Sequence, residues 1–440
     1  MDKTIDWPKS SYGWFLTILL TITYTVSFID RQVLNLLVEP IKHDLNLNDI
    51  QISLIQGPAF VTSYILMSVP FGRLADKINR IKVLVGGIFF WSVATAGCGA
   101  ATNATQLIVA RSGVGAGEAA LTPALWSILA DIFPEEKRNF PISFFLMGPY
   151  LGAGLALIFG GQLLKIFKES FTFFNGALIL EPWQLSFIVV SLPGFLLIFI
   201  LALLKDPERK EKLHYDVQTK NTLKDAAKFL KSGFGAYFPL LIGTSFLVVL
   251  LYGLQAWVPT YLFRIHGWAL SDAGLTYGPI ALIAGSTGVL SGPILDRYLV
   301  KRNKKGAPLI VAAFASIVLS VAGPITFFMS NAILALIGIF ILSFFVTLPL
   351  ALMATSLQRI TPNDYRGFVS GLYVVTVNIM GLGAGPTIVA FLTDAIYRNE
   401  SALNLSLATF FAFFAPVAFL IFAFGRKPYL RALESMNKAA

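Results

Sequence analysis

RSGVGAGEAALTPALW, residues 111–126, sets Gly, Ala and large apolar residues around one arginine and one glutamate. Within it, residues 115–120 (GAGEAA) match the dinucleotide-binding pattern G-x-G-x-x-G/A. That fingerprint works only after a strand, at the start of a helix in a βαβ unit. Here it lies inside an apolar run of about 25 residues, the length of a helix that crosses a hydrocarbon core. The glycines then read as a face that lets a neighbouring helix backbone approach closely. Arg111 and Glu118 become two charges placed inside a membrane.

The rest of the chain agrees. Of 440 residues, 56% are hydrophobic and only 13% charged, where a soluble domain carries nearer ~25% charge. A spanning helix needs roughly 20 mostly apolar residues. Twelve segments qualify: 13–37, 50–72, 82–102, 105–130, 140–164, 183–204, 237–262, 273–295, 308–329, 331–357, 367–395 and 403–424. The first runs past signal-peptide length without a small-residue cleavage site, so no cleaved signal is expected.

The net charge of +10 would point to nucleic acid on a soluble protein. Its distribution points elsewhere. With the N-terminus placed in the cytoplasm, 27 of the 34 Lys and Arg fall in cytoplasmic connections and five on the far side. That is the positive-inside pattern. It predicts a multi-pass protein with both termini in the cytoplasm and no nucleic-acid partner; short tails with no targeting extension fit a bacterial inner membrane. The single Cys98 excludes an internal disulfide and a cysteine metal cluster. The sequence contains no H-E-x-x-H and no G-x-x-x-x-G-K-[ST], so zinc proteolysis and ATP hydrolysis lack their parts. No nucleophile–base constellation appears either. An enzyme is not expected, and no metal or cofactor beyond an ion gradient.

A basic stretch, 205–236, divides the segments six and six. It predicts an N-terminal bundle over 1–204 and a C-terminal bundle with its tail over 237–440. TLKDAAKFL (222–230) reads either as an amphipathic helix on the anionic inner leaflet or as a solvated linker. The halves repeat. GRLADK (72–77) and GPILDR (292–297) both read G-x-x-x-D-[KR], and IFPEEKRNF (132–140) and ITPNDYRGF (360–368) both read I-x-P-x-x-x-R-x-F. GAG recurs at 152–154 and 383–385. Parallel six-helix halves related about the membrane normal are an architecture of alternating-access transporters. The expected fold is all-α, with twelve transmembrane helices in two pseudo-symmetric six-helix bundles.

These motifs resemble the major facilitator superfamily over nearly the whole chain. Gly72, Asp76, Lys77 and Arg80 are similar to its loop 2–3 signature, with Asn79 where the family often has Gly. Arg111, Gly115 and Gly117 resemble its fourth-helix signature, and Gly148-Pro149 with Gly152 and Gly154 its fifth-helix motif. IDRQVLN (29–35), RSGVGAGEAALTPA (111–124) and GAGP (383–386) with Asp394 resemble the Spinster-like group. That resemblance implies proton-linked export of lysophospholipids or sphingoid phosphates, with acidic positions in helices one and four carrying protonation. Organic-anion/proton symporters share part of the helix-one and helix-four pattern.

Four charges lie well inside the predicted segments: Asp30, Arg31, Arg111 and Glu118. Such charges usually mark function, at ~2.5–3.5 kcal/mol each on insertion scales. Arg111 and Glu118 are seven apart, hence on one helix face. Opposite signs at similar depth predict Asp30–Arg111 and Arg31–Glu118 pairs, or one four-member network. Glu118 is the first candidate proton carrier and Asp30 the second. Arg31 and Arg111 are candidates to receive an anionic headgroup. A static ion-pair lock is the structural alternative.

The C-terminal half has no ionisable residue deep in a segment. It offers Tyr252, Gln255, Thr347, Thr355, Tyr373 and Asn378, each readable as a substrate contact or as helix–helix glue. Charges facing weakly polar groups fit an amphipathic anion or lysolipid better than a sugar. For the cytoplasmic end, Gly72, Asp76, Arg80, Asp131, Asp296 and Arg297 are candidates for a gate, with Asp76 and Arg80 at i, i+4 of one helix end. The expectation is a monomeric, proton-driven carrier of an amphipathic anionic lipid. The alternatives are a proton symporter of a small organic anion such as a sugar acid, and a non-transporting receptor or scaffold.

Overall fold

The computed structural model describes residues 7–134, 137–173, 178–209 and 223–439. Among the described residues, eleven helical segments are long and apolar enough to cross a membrane, including Ser10–Leu36, Asp49–Lys77, Arg80–Gly99 and Glu400–Met436. The expected segment 105–130 is helical but interrupted. It forms α6 (Ala104–Glu118) and α7 (Leu121–Ile132), parted by a turn at Ala119 and Ala120. Pro123 explains the break. It has no N–H for the Ala119 carbonyl, and its ring crowds that carbonyl. The Ala119 amide keeps the ordinary helical bond to the Gly115 carbonyl, while the Ala120 amide reaches only three residues back, to Gly117, a tightened last turn directly after Glu118.

Other prolines mark breaks in the same way. Pro58 opens α4 (Pro58–Lys77) after α3 (Asp49–Gln56). Pro149 opens α9 (Gly148–Ile166). Pro386 follows a π-helical stretch, Ile379–Ala384, at the start of α19 (Gly385–Phe391). Pro at the first turn of a helix costs little, because its missing N–H would be unsatisfied there anyway.

The chain forms two compact units: Met1–Leu47, Ala59–Asp216 and Leu270–Gly278 make unit 1, and Asn48–Pro58, Val217–Ala269 and Pro279–Ala440 make unit 2. The sequence boundaries 1–204, 205–236 and 237–440 differ from these at two short segments. Packing accounts for both. At Gly57 an added Cβ would lie 2.2 Å from the Leu382 carbonyl, the carbonyl four residues before Pro386, so residues 48–58 seat directly on the π-helical stretch that precedes α19. Residues 270–278 seat on α9, where a Cβ at Gly161 would meet the Ser271 carbonyl at 2.7 Å.

Within unit 1, α1 (Ser10–Gln32), α4, α5 (Arg80–Gly99), α6, α7, α9 and α10 (Pro182–Ala202) bury a core that includes Leu16, Leu84, Trp91 and Phe187. A short hairpin pairs Phe171–Phe173 with Leu178–Leu180 in antiparallel register; the apolar-segment reading missed it. In unit 2, α13 (Thr244–His266) packs on α19, and α15 (Ala307–Phe327) packs along α20 (Leu403–Ala439). The helix expected near 222–230 is α11, Leu223–Ser232. Its apolar face is covered by protein: Phe229 stacks on Tyr365, with ring centroids 4.4 Å apart. Residues 210–222 of the basic linker lie outside the described residues.

Candidate functional site

α1 brings Asp30 and Arg31, and α6 brings Arg111 and Glu118, into one buried cluster. None of the four side chains is more than 7% exposed. The Arg31 guanidinium donates to Glu118 Oε2 at 2.5 Å and lies over the rings of Phe28 and Phe60, 4.3 Å from each centroid. This is one of the two expected pairs. The aromatic faces supply a second attraction for the same cation.

The second expected pair does not form. Arg111 Nη1 donates to the main-chain carbonyl of Asp30 at 3.3 Å, and Nη2 to that of Arg31 at 3.4 Å. These are among the last four carbonyls of α1, which carry the negative end of its dipole. The guanidinium therefore caps α1 rather than locking its carboxylate. Asp30 instead accepts from Thr95 Oγ1 of α5 at 3.3 Å, and its Oδ1 has no hydrogen-bond partner among the described residues. Glu118 Oε1 is likewise unpartnered. The cluster combines one closed ion pair with a carboxylate and a guanidinium that do not bond to each other.

The glycines of the opening stretch are what admit this geometry. An added Cβ at Gly115 would lie 2.3 Å from the Phe60 carbonyl, and one at Gly117 2.6 Å from the Trp91 amide nitrogen. α6 thus lies in backbone contact with α4 on one side and α5 on the other.

The polar residues expected from the C-terminal half divide. Thr347 donates to Ser343 and Phe344, Thr355 to Ala351 and Leu352, and Asn378 to Val374, each a carbonyl of its own helix. Thr347 also sits where a Cβ at Gly288 would have to go, a packing role. Tyr252 lies against Gly381 and Gly385. Tyr252, Gln255 and Tyr373 are half-buried.

At the basic end of unit 1, Arg80 is fully buried. It donates to Asp131, to Ser127 Oγ at 2.9 Å, to Asp206 Oδ1 at 2.8 Å and to the Pro207 carbonyl at 2.5 Å. The i, i+4 relation of Asp76 and Arg80 is corrected: α4 ends at Lys77 and Arg80 opens α5 after the Asn79 cap. Asp76 is exposed, and a Cβ at Gly72 would meet nothing within 4 Å. Asp206 and Arg209 were missed. Arg209 donates to the Ala75, Asp76 and Ile78 carbonyls, so KDPER (205–209) clamps the α4–α5 turn. The available signal was an acid and a proline placed directly after a spanning segment.

In unit 2, Asp296 is buried and lies 3.8 Å from Arg359, while Arg297 is exposed. At the opposite end of that unit, Arg264 grips Asp49 through two bonds of 2.7 Å. Asp394 Oδ2 accepts from the Ile50 amide at 2.9 Å. Among the described residues no group of three His, Cys, Asp or Glu is placed to hold a metal ion.

A family model described as Major Facilitator Superfamily matches residues 20–386. The chain is 26% identical over 409 residues to an "MFS-type efflux pump" of Mycolicibacterium smegmatis, covering 90% of this chain and 88% of the relative. It is 24% identical over 425 residues to the sphingosine-1-phosphate transporter SPNS2 of Xenopus tropicalis, covering 92% and 78%. It is also 24% identical over 422 residues to the probable galactarate/D-glucarate transporter GudP of Bacillus subtilis, covering 90% and 89%. Among solved structures, a bacterial homologue of the human lysosomal transporter Spinster, crystallised in an inward-facing, unoccupied conformation, aligns with a TM-score of 0.78 at 24% identity, over 98% of this chain and 99% of that one.

Proposed function

This chain belongs to the major facilitator superfamily, as a multi-pass membrane transporter rather than an enzyme, and from that premise we propose that it couples protons to the movement of an amphipathic anionic lipid such as a lysophospholipid or sphingoid phosphate. The observation that carries the reading is the unequal cluster of Asp30, Arg31, Arg111 and Glu118. A proton arriving on Glu118 neutralises the partner of Arg31. The Arg31 guanidinium, its ion pair with Glu118 opened, then holds the phosphate of the substrate, beside an Arg111 that has no carboxylate bond to give up. Loss of the substrate returns Arg31 to Glu118 as the proton leaves. The Glu118 carboxylate and the headgroup thus compete for Arg31, so that protonation of Glu118 favours substrate binding, and Asp30, with an oxygen that has no hydrogen-bond partner among the described residues, is the second proton site. Similarity to a sphingosine-1-phosphate transporter supports the lipid class. We further propose a monomer in the inner membrane, with both termini cytoplasmic on the distribution of its basic residues.

Similarity to a galactarate/D-glucarate transporter favours a second reading, symport of a small dicarboxylate. Proteoliposomes with an imposed pH gradient separate the two. We expect gradient-dependent movement of a fluorescent lysolipid or sphingoid phosphate and none of glucarate. Movement of glucarate alone would replace the first reading with the second. No gradient dependence for either would remove proton coupling.

A further inference from the structure

A cavity of about 490 Å³ opens at the basic end of unit 2, between α14 (Leu270–Lys301), the turn that follows it and the last third of α20. Asp296, Lys304, Arg359 and Tyr429 line it, with Leu430 and Leu433 as an apolar wall. Two of these groups are buried without satisfaction. Asp296 is 6% exposed, and its Oδ1 has no hydrogen-bond partner among the described residues. Tyr429 is 1% exposed; its hydroxyl lies beside Ser356 and Arg359 and makes a proper hydrogen bond to neither. Leaving a buried polar group unpaired is costly, and native structures contain few of them.

The charge around the cavity defines what would satisfy them. Lys305 is engaged with Glu434, at 3.8 Å, and its carbonyl accepts from Arg426. Lys304 makes no ion pair among the described residues. The first turn of α15 opens on the cavity after Gly306 (φ 71°), with no side-chain cap and Pro308 in that turn. An uncapped helix N-terminus, a free lysine and an arginine held only loosely by Asp296 Oδ2, at 3.8 Å, attract an anion. The orphaned Asp296 oxygen requires a donor on the same ligand.

We propose that this cavity binds a phosphodiester headgroup that ends in a hydrogen-bond donor. Lys304, Arg359 and the Tyr429 hydroxyl hold the phosphate, and Asp296 Oδ1 accepts from the terminal ammonium or hydroxyl. The lipid chain leaves along Leu430 and Leu433. A membrane phospholipid and a free glycerophosphodiester share this chemistry. Neither the proton sites nor the substrate arginines belong to the site, although Asp296 is also a gate candidate.

Native mass spectrometry of the purified full chain in detergent tests it. Dioleoyl phosphatidylethanolamine, phosphatidylglycerol and phosphatidylcholine are offered at equal mole fraction. Phosphatidylcholine carries the phosphate but no terminal donor. The first two are expected to be retained about tenfold better, the value of one charge-assisted bond. Lys304→Gln, at an exposed position, and Tyr429→Phe, which keeps the ring, should each reduce that retention by a similar factor. Displacement of the lipid by millimolar sn-glycero-3-phosphoethanolamine assigns the site to the free headgroup; failure to displace assigns it to membrane lipid. Equal retention of phosphatidylcholine, or wild-type retention by both variants, overturns the proposal.

Discussion

Arg111 donates to the main-chain oxygen of Asp30, at 3.3 Å, and not to the Asp30 carboxylate. The difference separates a lock from a switch. Two closed Arg–carboxylate pairs would be hard to open, because removing one partner of a buried pair costs about 3–5 kcal/mol. Here only Arg31–Glu118 is closed. Arg111 is held by two neutral carbonyls, which leaves its full charge uncompensated by a bonded anion.

Arg111→Lys is therefore expected to fold and to bind substrate poorly. A lysine keeps the positive charge at the end of α1 but cannot span two carbonyls with one fork. In proteoliposomes its KM should rise about tenfold or more, as expected for the loss of a bonded pair worth ~1.5–3 kcal/mol. Its elution profile in detergent should match wild type. An unchanged KM would remove Arg111 from substrate recognition.

Glu118→Gln should separate exchange from coupling. The amide oxygen still accepts from Arg31, so the helix pair keeps its contact, but the side chain no longer takes up a proton. Counterflow exchange of substrate, which needs no net proton movement, should persist and lose its pH dependence. Gradient-driven accumulation should disappear. If accumulation survives in Glu118→Gln and is lost in Asp30→Asn, the carrier role passes to Asp30.

How far the sequence reached can be judged from these same residues. Membrane segments were legible because apolar run length is a one-dimensional property. So were the four buried charges, because each is conspicuous in an apolar background. The break after Glu118 was legible in principle, since Pro123 stands four residues after the carbonyl it orphans. Which acceptor Arg111 chooses was not, because a carboxylate and a helix-end carbonyl of the same residue differ only in three-dimensional aim. Asp206 escaped for a related reason: its partner Arg80 lies 126 positions away. The repeated I-x-P-x-x-x-R motif gained a meaning only in space. Arg138 donates back to the Phe133 and Ala130 carbonyls, and Arg366 to that of Thr361. Arg138 thus reaches back into the end of α7, while Arg366 ties the turn that follows Arg359.

The two glycine motifs should respond differently to one methyl group. Gly117→Ala places a Cβ 2.6 Å from the Trp91 backbone nitrogen. Backbone cannot step aside as a side-chain tip can, so α5 and α6 must separate. Overpacking of this kind costs about 1–3 kcal/mol, visible as a lower unfolding temperature in detergent. Gly72→Ala meets nothing within 4 Å and should leave that temperature unchanged. A transport defect in Gly72→Ala with normal stability would place its role in the transport cycle rather than in this packing.

Asp206→Asn tests the clamp on Arg80. Arg80 is fully buried, and Asp206 accepts both its Nε and its backbone amide, each at 2.8 Å. An asparagine retains one acceptor and presents two donors. The expected loss is about 1–3 kcal/mol, with faster tryptic cleavage after Lys205 and Arg209. Asp131→Asn should add less than its single-variant cost in the double variant, because both acids serve one guanidinium. Full additivity would mean that the two acids act independently.

The last prediction concerns Asp49 and Arg264. Their bidentate pair and the Ile50–Asp394 bond hold the N-terminal turn of α3 in unit 2. Both side chains of the pair are buried, Asp49 completely. Arg264→Gln leaves that carboxylate without its cation, and the segment 48–58 should loosen. The lone native cysteine, Cys98, is buried and gives a silent background for labelling. A cysteine introduced as Ser53→Cys, at a fully buried position, should be labelled slowly by a membrane-impermeant maleimide in an otherwise wild-type chain. Adding Arg264→Gln should speed that labelling at least tenfold, the factor that ~1.4 kcal/mol of weakened closure corresponds to. Arg264→Lys should fall between, because it keeps the charge and loses the fork. Equal labelling rates in all three chains would show that glycine-mediated packing at Gly57, and not the ion pair, holds the segment.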